Sequence, residues 1–198
     1  MVEWTLGVDR FFVVRHGETQ ANVMEINAGP LDYPLTTKGQ KEIEYLAKTL
    51  SKTKISGVYS SPVFRAVETA KIIVQPHKLD VQKVEGLTEA KLKAEFVAKK
   101  GRKRILITPD AFDETYKELQ ERVVRSIEDI QKKASGIVIV VSHGDPITAL
   151  LQFVVERKIG NSSYYVLHPD PGSLSVIDFK DRFELVLFNY HRKMFQEV

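Results

Sequence analysis

The chain has 198 residues, no cysteine, and a formal charge of +3 arising from 29 basic and 26 acidic side chains. This length suits one domain across residues 1–198, with a core that needs no covalent staples, and the absence of cysteine excludes disulfides, thiolate nucleophiles and cysteine-ligated zinc. The N-terminal MVEWTLGVDR lacks a basic stretch followed by an apolar run, and no apolar segment reaches the roughly twenty residues of a membrane span. The expectation is a cytoplasmic protein with no membrane partner.

The first predicted strand is residues 11–14, FFVV, a continuous apolar run that passes directly into Arg15, His16 and Gly17. Gly17 can make the turn, so the cation and the imidazole ahead of it need their own explanation. A helix follows, capped at Thr36 and Thr37, with Thr37 and Gln40 as a capping box and Ile43, Leu46, Ala47 and Leu50 on one face. After a strand at 58–60, Ser61 reads as an N-cap and Pro62 as the first helical residue. That helix buries Val63, Ala66, Val67 and Ala70 and carries Arg65 in its first turn.

Residues 86–109 break the pattern, being rich in Lys and Ala around Leu92, Phe96 and Val97, and predict a lid-like helical excursion above the sheet. The basic run at 99–104, KKGRKR, has no interleaved aromatics to stack bases. It reads as a solvated loop or an anion-attracting rim, with no nucleic-acid partner expected. A long helix begins near Asp110 and presents Phe112, Tyr116, Leu119, Val123, Ile127 and Ile130 at spacings of three and four. The strand at 137–141 ends in His143 and Gly144, and a helix starts after Asp145, its N-cap, and Pro146. Strands at 174–179 and 183–188, joined by Lys180, Asp181 and Arg182, form an antiparallel hairpin at the edge. Alternating strands and helices imply a three-layer α/β/α sandwich around a largely parallel sheet.

Ligands of such sheets bind beyond the carboxyl ends of the strands, and here two strands end in His-Gly. Two imidazoles with Arg15 and Arg65 suit phosphoryl transfer. Guanidinium groups match phosphate oxygens in bidentate geometry, and neutral imidazole is a nucleophile toward phosphorus, kept neutral by the neighbouring cations. A poor leaving group also needs a general acid, for which Glu18, Glu85, Glu89 and Asp145 are candidates. His77, His168 and His191 read as structural or surface residues.

Four ordered pieces carry a resemblance: RHGET with Asn22 after it, DYPLTTKGQ at 32–40, SSPVFRAVETA at 60–70, and VVSHGD ending at Asp145. Together they resemble the histidine phosphatase superfamily, the phosphoglycerate mutase-like group. The resemblance implies that His16 is the phosphorylated nucleophile, that Arg15, Asn22 and Arg65 hold the phosphoryl group, and that His143 stabilises it with help from the Gly144 N–H. Glu89, two residues after Leu87, matches the family's acid–base glutamate. No metal or other cofactor is implied, and the expected partner is a small phosphorylated substrate.

After that glutamate the family commonly continues with a Gly-x-Trp-Glu-Gly-like stretch, where this chain has AKLKAEFVAKKGRKR. A mutase must exclude water under a substantial cap, and the modest excursion argues instead for a phosphomonoester hydrolase. A phosphoglycerate mutase using the same intermediate, and a catalytically silent phosphate- or phosphoprotein-binding module, are the alternatives.

Overall fold

The computed structural model describes residues 7–26, 28–29, 31–91, 93, 113–156, 158–159, 167–180 and 182–191. Apolar residues on both sides of VDRFFVVR force β1 (Val8–Arg15) into the middle of the structure. Phe11 and Val13 face one layer of helices, Phe12 and Val14 the other. Around it lie β2 (Ile55–Ser60), β3 (Val81–Lys83), β4 (Gly136–Ser142), β5 (Leu174–Phe179) and β6 (Phe183–Tyr190), in the order β3-β2-β4-β1-β5-β6. The pairs β1–β4, β2–β4 and β2–β3 are parallel, whereas β5 runs antiparallel to both β1 and β6. The expected largely parallel sheet with an antiparallel hairpin is therefore present, and β3 is an additional edge strand.

One face is covered by α2 (Thr37–Leu50) and α3 (Phe64–Val74), whose Ile43, Leu46, Ala66 and Ile73 pack against Phe12, Val14, Val58 and Ile139. The other is covered by α4 (Tyr116–Lys133) and α5 (Gly144–Glu156), with Val123, Ile127, Ile147 and Leu151 against Phe11, Val13, Val138 and Val140. Each fully buried Val, Leu, Ile or Phe side chain among these contributes about 1.5–3 kcal/mol. Register then sets the functional edge: Arg15 pairs with Ser142, and Ser60 with Val141, so β1, β4 and β2 all end at one level. Among the described residues no helix is long and apolar enough to cross a membrane.

Several boundaries differ from the sequence reading. Of the two threonines that read as the cap, Thr36 caps α2 by accepting from the Gly39 N–H and Thr37 is its first residue; Gln40 reaches Glu68 instead of closing a capping box. Helix α3 starts at Phe64 with Val63 at its N-cap, so Ser61 is no cap. Helix α4 starts at Tyr116, where Thr115 and Glu118 form the capping box, rather than near Asp110. Because α5 already begins at Gly144, Asp145 and Pro146 lie inside its first turn. A short α1 (Gln20–Val23) follows β1. Phe112, the basic run at 99–104 and most of the expected excursion fall outside the described residues; its start is a 3-10 turn, Glu85–Leu87.

Candidate active site

The backbone beyond β1 is tied to its neighbours on both sides. The His16 N–H donates to Ser142 O at 3.0 Å, the Arg15 N–H to Ser173 O at 3.1 Å, and the Gly172 N–H to His16 O at 2.9 Å. His16 is thereby fixed and 3% exposed. Its Nδ1 lies 2.9 Å from Gly17 O. A carbonyl can only accept, so Nδ1 carries the proton and Nε2 the lone pair. Into that lone pair points the Arg65 Nε–H at 3.2 Å.

The rest of the Arg65 guanidinium is held by the loop before α2, Nη1 donating to Leu31 O and Nη2 to Gly29 O, each at 3.1 Å. His143, wholly buried, stands edge-on to His16 with ring centroids 5.2 Å apart. Its Nε2 meets Ser61 Oγ at 2.8 Å, and the same oxygen accepts from the Val63 N–H at 3.3 Å. Arg15 donates through Nη1 to Pro169 O at 2.7 Å and to His168 Nε2 at 3.2 Å. Since arginine only donates, His168 carries its proton on Nδ1, 3.2 Å from Thr148 Oγ1, which itself bonds Gly144 O. Two buried polar atoms, Arg15 Nε and His143 Nδ1, have no hydrogen-bond partner among the described residues.

Burial first, then the Arg65 and Arg15 cations, hold His16 well below the ordinary imidazole pKa. His143 is depressed in the same way, by burial and then by Arg65, His16, Arg15 and Arg122. Burial also lowers the pKa of both guanidiniums, and the carboxylate of Glu89 is the largest charge opposing that effect at each. Among the described residues no group of three His, Asp or Glu side chains could share a metal ion.

Two histidines and two arginines, carried by the ends of β1 and β4 and the start of α3, thus meet at one edge of the sheet, and the family profile of the histidine phosphatase superfamily (branch 1) matches residues 11–191. The chain belongs to the histidine phosphatase superfamily. It is 33% identical over 181 residues to a 2,3-bisphosphoglycerate-dependent phosphoglycerate mutase from Thermoplasma acidophilum, covering 84% of this chain and 85% of the relative. It is 27% identical over 192 residues to phosphoserine phosphatase 1 from Hydrogenobacter thermophilus, with 90% of each chain covered. Among solved structures, YhfR from Bacillus stearothermophilus superimposes with a TM-score of 0.79 at 23% identity, covering 90% of this chain and 95% of that one. The alpha-ribazole phosphatase from Shigella flexneri gives 0.77 at 25% identity, covering 91% and 96%.

Of the histidine phosphatase residues expected from the sequence, His16, Arg15, Arg65, His143 and Gly144 lie together at the strand edge. Asn22 commits its Oδ1 to the N–H and hydroxyl of Thr19, at 3.0 and 2.9 Å, capping α1. Among the four candidate acids, Glu18 is bound to Thr36 and paired with Lys38 on α2, and Glu85 is exposed. Asp145 lies in the first turn of α5. Glu89 is half-buried, with Oε1 accepting from the Ala90 N–H at 3.0 Å. Ser61 and His168 were missed. Ser61 had the signal of sitting at the same strand edge, masked by its Ser-Pro sequence. His168 had none, since its partner Arg15 is 153 residues away.

Proposed function

We propose that this histidine phosphatase is a metal-independent phosphomonoester hydrolase of the cytoplasm, with His16 Nε2 as its nucleophile. The observation that carries the reading is the fixed tautomer of His16, whose lone pair faces the buried Arg65 guanidinium, with the Arg15 cation and the His143 ring close by. Arg15, Arg65, the Nδ2 donors of Asn22 and the Gly144 N–H bind the phosphoryl oxygens. The unpartnered Arg15 Nε and His143 Nδ1 gain acceptors in the same way. As Arg65 turns its Nε–H from His16 to an oxygen of the phosphoryl group, Nε2 is released to form the N–P bond.

The P–O bond to the leaving group breaks with its electron pair, and Glu89 delivers the proton that the departing oxygen needs. In the second half, Glu89 takes a proton from water, the hydroxide attacks phosphorus, and His16 departs with inorganic phosphate as the product. Support for Glu89 comes from its electrostatic reach to both arginines. A small phosphorylated substrate is the class named by the phosphoserine phosphatase relative.

The test is phosphate release from a panel of phosphorylated metabolites in EDTA. Wild type turns over, and His16→Ala loses at least about a thousandfold in kcat; activity that needs a divalent ion, or that survives His16→Ala, refutes the mechanism. A second reading, the mutase, draws on the 33% identity to a phosphoglycerate mutase. Interconversion of the two monophosphoglycerates without phosphate release would establish it.

A further inference from the structure

Arg122 of α4 directs all five of its N–H donors at one turn and the acid that braces it. Nη1 donates to Gly86 O at 2.9 Å and Thr88 O at 2.8 Å, and Nη2 to Glu89 O at 3.0 Å. Nε and the second Nη2 hydrogen form a fork on Glu114, at 2.8 and 2.7 Å. Glu114 Oε1 in turn accepts from the Lys91 N–H at 2.8 Å, two residues beyond Glu89. Ser142 Oγ, next to His143, donates to Leu87 O at 2.7 Å. Every carbonyl from 86 to 89 is therefore held by a side chain anchored in α4 or β4.

The turn also lies directly on the helix. A Cβ at Gly86 would stand 2.0 Å from Ser126 Oγ and 3.0 Å from Arg122 O. The Arg122 and Glu114 side chains are only 18% and 7% exposed. Buried ion pairs add little net stability, but this one fixes a backbone position, and the backbone it fixes carries Glu89.

We propose that Arg122, braced by Glu114, is a positioning residue for proton delivery: by gripping residues 86–91 on both sides of Glu89, it sets the reach of that carboxyl to the leaving-group oxygen. The inference rests on the reading of Glu89 as the general acid. Arg122 itself touches no reacting atom.

Proton delivery matters most for an alkyl phosphate, whose alkoxide is a poor leaving group, and least for p-nitrophenyl phosphate. The experiment compares kcat on these two esters for wild type, E89Q, R122K, E114Q and the E89Q/R122K double variant, with thermal unfolding followed for each. E89Q should lose about a hundredfold more on the alkyl ester than on the aryl ester. R122K, with three donors and no planar fork, should show the same selective loss at about tenfold, with KM unchanged, and should add nothing to it in the E89Q background. Equal slowing of both esters by R122K, or an additive effect in the double variant, overturns the inference. If E89Q itself fails to discriminate, the acid assignment falls and the inference with it; if only the clamp variants fail, the acid assignment stands alone. Should R122K not fold, E114Q, which keeps the side-chain shape, decides in the same sense.

Discussion

His16 and His143 are neutral because the folded chain offers them no water and surrounds them with cations. Unfolding returns both rings to the ordinary value of 6.5. The unfolded chain then binds protons that the folded chain refuses, so stability is lost as pH falls below about 6.5. Each ring contributes up to about 1.4 kcal/mol per pH unit until its folded pKa is reached. Urea unfolding between pH 7.5 and 5.5 measures this slope, and His16→Asn should remove its share; a variant with the wild-type slope would mean that the folded ring takes up protons freely. Arg15, His16 and His143 were legible because they follow apolar runs that read as strands, and Arg65 because it sits in the first turn of the helix that follows the strand ending at Ser60. Their protonation state was legible only in sign: which nitrogen of His16 bears the proton depends on the Gly17 carbonyl, and no spacing encodes its direction.

Helix α2 is positioned on the loop after β1 through Gly39. A Cβ there would lie 2.3 Å from Glu18 O and 2.7 Å from Glu18 N, both backbone atoms of the segment that presents His16. Alanine is the better helix former by about 1 kcal/mol, but overpacking against backbone costs about 1–3 kcal/mol, and the clash should prevail. Gly39→Ala is thus expected to lower stability by up to about 2 kcal/mol in urea unfolding and to reduce kcat; a more stable, fully active variant would show that the loop yields freely. Most elements were readable from periodicity, α2 to within a residue at its start, whereas α4 begins six residues later than expected, where Thr115 and Glu118 form its capping box. Strand β3 was not, since its three residues, half-buried or exposed, carry no apolar run and become a strand only by pairing with Val58, Tyr59 and Ser60. Ser61-Pro62 reads as a helix start by local preference, whereas α3 begins at Phe64 and Ser61 Oγ bonds both the Val63 N–H and His143.

For the whole molecule, the sheet order brings together groups that the chain keeps far apart, and it does so at an electrostatic cost. Arg65 is buried and Arg15 half-buried, close enough to repel each other, and among the described residues neither forms an ion pair; the carboxylates of Glu89, Asp145, Asp170 and Asp32 act on them only at a distance. In the proposed mechanism a bound oxyanion supplies the counter-charge, and does so in the folded state alone. Vanadate at a hundred times its Kd should therefore stabilise the protein by about 2.7 kcal/mol, raising Tm by about 5–10 °C. Arg65→Ala should abolish most of that rise, and an equal rise in the variant would locate the binding elsewhere. The α/β/α class was legible from the alternation of strands and helices, whereas the arginine neighbours were not, because their proximity is a property of strand order. The same two guanidiniums link resistance to proteolysis to the anion around the protein: without an oxyanion the opened chain is more populated and should be cut sooner, and with one it should be spared.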